Sequence, residues 1–247
     1  MAYDTTGELD MVYENVPDTF KSFAEAYDYF SRSNAYNEFY ERPAIRDLLP
    51  ENLQGLRVLD AGCAGGLHAQ WMVERGANVL LIDRDPDMVA IASSRLGNGG
   101  VVVQADLTEP LGFVSSASID LVFCSLTMHY IENWQPTLAE FHRVLVKGGQ
   151  LLISTHHPCA DSAWGGSDYF AVELLTQTWN EFGKQSYEVT FFRRPLSAIV
   201  ADLSETGFRI ESLIEPRPQV AMKKFAPKTF EKLSRHPWFI ILQASAN

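Results

Sequence analysis

Three acidic residues close three short apolar runs in the first half of the chain, and the residues around each of them point to a ligand site. "RVLD" ends on Asp60 and breaks into Gly62, Cys63, Ala64, Gly65 and Gly66; "NVLLID" ends on Asp83; "GVVVQAD" ends on Asp106. Glycines accept positive φ and carry no Cβ, so a strand, a glycine turn and a helix together let a ligand reach bare amides at the helix start. Asp60 narrows the choice of ligand. A carboxylate beside a pyrophosphate is electrostatically unfavourable, whereas beside an α-ammonium group it is attractive. Asp83 lies about 20 residues past the glycine turn, where a carboxylate can accept both hydroxyl protons of a ribose.

A parallel α/β frame is needed to hold these positions. Val58–Leu59 and Val79–Ile82 read as buried strands, and "GVVVQ", Ile119–Cys124 and "GGQLLIST" as further strands. Between them, Leu67, Trp71 and Met72 share a helical face that Gly76 ends. Asp85 caps a helix opened by Pro86, with Asp87 in its first turn. "TLAEFHRVLVKGG" buries Leu138, Phe141 and Leu145 before a Gly-Gly stop, with His142 in a structural or surface role. The alternation predicts a doubly wound sheet covered on both faces, with ligands at the strand C-termini. The fourth strand opens onto Ser125, Leu126 and His129 at the switch point.

In order and spacing, residues 57–130 resemble the class I S-adenosylmethionine (SAM) dependent methyltransferases, whose first motif has the usual form D-x-G-C-G-x-G. This chain departs from it at Ala64, the least bulky replacement for the middle glycine, and a slightly tighter turn is expected there. The resemblance implies a Rossmann-like, doubly wound, seven-stranded, mostly parallel sheet with an antiparallel last strand, formed by "FRIESLIEP" and "WFIILQA". It implies SAM as cofactor and S-adenosylhomocysteine as product. It places the adenine amine on Asp106 and the ring against Leu107. Cys63, Ala64, Gly66, Arg84 and Ser125 join Asp60, Gly62 and Asp83 in the expected cofactor set.

Composition fits a single domain over 1–247: a helical cap (1–54), a SAM-binding core (55–155), a substrate lid (156–200) and a C-terminal sheet edge (201–247). The 20 basic and 31 acidic residues give a formal charge of −11. That disfavours nucleic acid, whose binding rests on basic groups. Three cysteines show no metal or disulfide spacing, and no long apolar span or signal peptide is evident, so a cytoplasmic enzyme without a metal is expected.

Two segments lie outside the sheet. In the cap, Phe20, Phe23, Tyr27 and Phe30 form an aromatic face, with Asp18 as its expected helix cap. "NEFYERPAIRDLLP" comes next, with Pro43 opening a second helix and Pro50 closing it. "YERPA" recurs in one branch of the family whose N-terminal helices cover the cofactor, which implies contacts from Tyr40 and Arg42 to the cofactor carboxylate. The lid "HHPCADSAWGGSDYF" and two strands around Phe182-Gly183-Lys184 form an aromatic cover. His156, Trp164 and Tyr169 are its candidate substrate contacts. The cap, the "HHP" turn and the C-terminal "EPRP…HPWFIILQA" resemble bacterial small-molecule methyltransferases of the quinone-biosynthesis type.

Methyl transfer needs alignment, exclusion of water and, for a protic nucleophile, a base. Histidine suits that task near neutral pH. His157, stiffened by Pro158, and His129 are the candidates, whereas His68 packs or caps. His156 and His157 would point apart in an extended segment, a poor metal pair. A nicotinamide oxidoreductase should show G-x-G-x-x-G and lack Asp60. A SAM-binding protein that is non-catalytic, or uses SAM for another reaction, would carry the same cofactor motifs.

Overall fold

The computed structural model describes residues 20–161, 168–182 and 185–247. Asp18, Trp164 and the Gly183–Lys184 turn lie outside the described residues. A seven-stranded sheet forms the centre, built from β1 (Arg57–Ala61), β2 (Asn78–Asp83), β3 (Gly100–Gln104), β4 (Ile119–Ser125), β5 (Leu145–His156), β8 (Phe208–Ile214) and β9 (Phe239–Ala246). Their spatial order is β3-β2-β1-β4-β5-β9-β8. The first five strands are parallel, and β9 runs antiparallel to both of its neighbours. Chain order reverses between β1 and β4, which makes that crevice the switch point.

Alternation along each strand divides the core. Leu59, Ala61 and Ile82 pack on one face with Trp134, Leu138 and Phe141 of α5 (Trp134–Val144) and Ile199 and Leu203 of α7 (Leu196–Glu205). Val58, Val79, Leu81 and Phe123 pack on the other, against Ile45 of α2 (Arg42–Arg46), Met72 of α3 (Leu67–Val73) and Ala92 of α4 (Pro86–Leu96). Strands buried on both faces read as continuous apolar runs, and for that reason the sequence exposes them. Asp85 caps α4 by accepting the amides of Asp87 and Met88.

The cap and the cover differ from expectation in detail. Helix α1 (Phe23–Ser31) is capped by Ser22, whose hydroxyl accepts the Glu25 amide. The second cap helix opens earlier than Pro43, as a π-helical turn over Asn37–Glu41 that runs straight into α2. After β5 comes one turn, α6 (Pro158–Asp161), then a two-stranded antiparallel hairpin of β6 (Glu173–Phe182) and β7 (Gln185–Arg193). Two further short helices, α8 (Met222–Phe225) and α9 (Pro227–Leu233), precede β9 and pack behind the cap around Tyr40, Met222 and Phe239.

Candidate active site

The turn after β1 is shaped by residues that leave ordinary backbone space. Gly62 and Gly66 both have φ +77°, and Ala64 has φ +46°. A Cβ on Gly62 would fall inside the side chain of Thr127, whose hydroxyl donates to the Gly62 carbonyl at 3.1 Å. The Ala64 amide donates to Asp83 Oδ2 at 2.8 Å, and the Asp85 amide to Asp83 Oδ1 at 3.0 Å. Asp83 thus ties the glycine turn to the end of β2 and remains on the cavity wall.

A cleft of about 500 Å³ runs over the C-terminal ends of these strands, within the range of small-ligand sites. Asp83, Arg84, Asp106 and Leu107 line its floor with Gly62, Ala64 and Ser125. Met88, Thr108, Thr127 and Tyr130 also line it and carry no signal in the sequence that would single them out. Asp106 accepts the Thr108 amide and hydroxyl at 2.9 and 2.8 Å, and that amide first of all holds its pKa below the usual carboxylate range. Phe23 and Tyr27 of α1 form one wall, Tyr187 to Thr190 of β7 another. Phe23 meets Tyr187 edge-on, 5.0 Å between ring centres, so the cap and the hairpin close over the cleft together. Helix α1 is anchored by Asp28, which accepts from Arg95 Nη2 at 2.8 Å; Arg95 Nη1 in turn donates to the Gly65 carbonyl.

At the glycine end the cleft continues into a side pocket of about 60 Å³ lined by Asp60, Cys63, Gly65, His68, Glu41 and Arg42. Tyr27, Gly62, Ala64, Ser125 and Leu126 border both spaces. Asp60 is 2% exposed, and its Oδ2 has no hydrogen-bond partner among the described residues. Burial, and secondarily the charge of Asp83, pushes its pKa up to about 8. Glu41 is likewise buried and accepts the hydroxyls of Ser154 and Ser125 at 2.5 and 2.8 Å. Burial raises its pKa and the two serines oppose the rise. His68 is held neutral by burial and by the charges of Arg46 and Arg42.

Arg42 lines this pocket, with Nη2 and Nη1 donating to the Ser31 and Arg32 carbonyls at 2.6 and 3.1 Å. Tyr40 is a correction. It is fully buried behind the cap, where its ring packs on Phe239 and its hydroxyl accepts the Trp238 amide at 3.0 Å.

The candidate bases are also placed away from the cleft. His157 Nδ1 accepts the Cys159 amide at 3.1 Å, which leaves Nε2 as the donor to Glu215 at 2.9 Å. It is a turn-forming residue. His129 and His156 stack face to face at 3.8 Å, and Phe239 continues the stack at 6.0 Å from His156. Burial first, then His156 and Arg194, keep His129 neutral. None of these three histidines lines the cleft. Tyr169, a candidate substrate contact, instead accepts the Leu196 amide with its hydroxyl at 3.3 Å. Two pocket residues that the sequence does not mark as ligand contacts are Glu41 and His68, neither of which belongs to a periodic or glycine-marked pattern.

The orphaned Asp60 oxygen, the Asp83 carboxylate facing the cleft and the left-handed glycine turn between them fit a nucleoside with a cationic amino-acid tail. Comparisons with known proteins agree. Residues 59–153 match the family described as a methyltransferase domain. A ubiquinone biosynthesis O-methyltransferase of Pseudomonas aeruginosa is 30% identical over 66% of this chain and 68% of its own. An uncharacterized protein of Haemophilus influenzae is 28% identical over 84% of this chain and 87% of its own. The crystal structure of a SAM-dependent methyltransferase from Mesorhizobium loti superposes with a TM-score of 0.68 at 26% identity, covering 87% of this chain and 99% of that one. By fold, by site and by kinship, this chain belongs to the class I SAM-dependent methyltransferases.

Proposed function

We propose that the chain moves the SAM methyl group to a small, largely apolar or aromatic acceptor, working as one methyltransferase domain with its cap and lid. The observation that carries this reading is the aromatic cover. Phe23 and Tyr27 from α1 and Tyr187 from β7 narrow the entrance above the strand ends, an opening suited to a planar molecule rather than a folded macromolecule. The formal charge of −11 supports the same choice against nucleic acid. The ubiquinone-biosynthesis relative adds weight to an apolar ring acceptor.

SAM supplies an electrophilic methyl when bound; the chain's own residues bind, orient and dry the site. Asp83 and Asp106 would hold the ribose and adenine, Leu107 the ring face, and Asp60 and Arg42 the charged amino-acid tail. The aromatic walls exclude water and favour a cation near their faces. With the three histidines elsewhere, Glu188 of β7 is the carboxylate that the lid itself brings to the cleft. No helix among the described residues is long and apolar enough to cross a membrane.

The test is turnover with SAM against small phenols, quinols and thiols, alongside bulk tRNA and denatured protein, with S-adenosylhomocysteine as the readout. The expected result is product with a small aromatic acceptor and none above background with the macromolecules. Comparable turnover on tRNA or protein would overturn the small-molecule reading.

A further inference from the structure

The side pocket beyond the glycine turn carries more acceptors than a cofactor tail held by backbone alone would need. Asp60 Oδ2 and His68 Nδ1 are both buried there without a hydrogen-bond partner among the described residues. Buried polar atoms in a folded protein are nearly always paired, so these two orphaned acceptors on one small pocket mark the place of a missing donor, as the unpartnered Arg42 Nε on the same pocket marks that of an acceptor. His68 is neutral, and a neutral imidazole has one donor and one acceptor nitrogen.

Its surroundings decide which is which. Ser125 Oγ gives its proton to Glu41 Oε1 at 2.8 Å and sits 3.4 Å from His68 Nε2. Glu41 Oε2 lies 3.7 Å from the same nitrogen. Two acceptors therefore face Nε2, and the proton belongs on it. Nδ1 is left as a bare lone pair. Ser154 Oγ accepts the Leu126 amide at 3.1 Å and donates to Glu41 at 2.5 Å, so the carboxyl is fixed from β4 and β5 at once. Glu41 itself is delivered from the cap by a π-helical turn, a rare geometry that often accompanies function.

We propose that His68 Nδ1, together with Asp60 Oδ2, accepts N–H protons of the cofactor's α-ammonium group, and that Glu41 is a positioning residue that fixes the His68 tautomer. An ammonium group is a donor only, and it matches a lining of acceptors where a carboxylate would not. This inference rests on SAM being the cofactor. It adds a recognition element from the start of α3 and one from the cap, so the amino-acid tail is read by three separate parts of the fold.

Two probes separate this role from a structural one. S-adenosylhomocysteine carries the ammonium; methylthioadenosine is the same nucleoside thioether without the amino-acid tail. Asparagine keeps a polar atom near the δ position and glutamine keeps one near the ε position. His68→Gln is expected to weaken S-adenosylhomocysteine about ten- to a hundredfold, the size of a lost bond to a charged group. Methylthioadenosine should stay within about twofold, and His68→Asn should recover most of the loss. Glu41→Gln is expected to weaken S-adenosylhomocysteine selectively by a smaller factor. Parallel loss of both nucleosides in His68→Gln, or no loss of either, would overturn the proposal. Failure of the unaltered protein to bind either nucleoside would overturn the cofactor reading beneath it.

Discussion

Replacing Asp60 by asparagine should make the ligand-free protein more stable, increasingly so as pH rises, and should remove most of the further stabilisation that SAM gives. The carboxyl is 2% exposed, one of its oxygens has no partner among the described residues, and its pKa is raised to about 8. Its unfolded value is about 3.9. Because the folded value is the higher one, the stability tied to this group is complete below about pH 4 and is lost as pH rises towards about 8. Linkage over that interval puts the loss at about 1 to 2 kcal/mol by pH 5 and about 5 kcal/mol by pH 8, a difference of about 3 to 4 kcal/mol. Asparagine has no such titration. Thermal unfolding of the two proteins should therefore give a Tm gap that widens by roughly 10 °C between pH 5 and pH 8, in favour of the variant. Saturating SAM at about 100 times its Kd should stabilise the original protein by roughly 2.7 kcal/mol and leave the variant nearly unmoved at the same concentration. A Tm gap that does not change with pH would mean instead that Asp60 is solvated or paired and ionises normally. An Asp60→Asn protein that still responds fully to SAM would refute the ammonium contact.

Other outcomes rest on single residues. Ala64 sits at φ +46°, a conformation that costs a β-carbon about 1 to 2 kcal/mol. Ala64→Gly should raise Tm by a few degrees after the entropy of the freer unfolded chain is subtracted, and a fall in Tm would contradict the strain. Arg95→Ala removes the buried tie between Asp28 and the Gly65 carbonyl. It should destabilise the protein by about 2 to 3 kcal/mol and raise the SAM dissociation rate, and stopped-flow release unchanged from the original would show that α1 does not hold the cofactor in. His157→Ala should lower Tm while keeping kcat within about threefold, because His157 serves a turn and Glu215. Loss of kcat by a hundredfold at unchanged SAM affinity would return His157 to the chemistry.

The core of the fold is legible in the sequence because its signals are local. Each parallel strand is an apolar run, and Asp60, Asp83 and Asp106 each end or directly adjoin one, so the acids and the strand ends are read together. The seven-stranded, mostly parallel sheet with its antiparallel edge is implied by the family resemblance rather than by periodicity, and the structure sets its order as β3-β2-β1-β4-β5-β9-β8. The cap is harder. The family resemblance through "YERPA" sends Tyr40 towards the cofactor, while the π-helical turn over Asn37–Glu41, which no sequence period marks, sends Tyr40 to Phe239 and Glu41 to Ser125 and Ser154. The histidines mislead for a different reason. Strand β5 continues to His156, so His156 enters a stack with His129 and His157 begins the next turn. Which histidine faces a cavity depends on strand length and on partners distant in sequence. His68 is inconspicuous because one polar residue at the start of a helix looks like any other until its neighbours are in place.

The central claim is that the strand-end cleft and its acid-lined side pocket bind SAM. A calorimetric titration of the protein with SAM tests it most directly, run beside NADH and beside the Asp60→Asn variant. One-to-one binding of SAM, no heat with NADH and a large loss of SAM affinity in the variant is the predicted result. Binding of NADH in place of SAM, or equal SAM affinity with and without the Asp60 carboxylate, would contradict it.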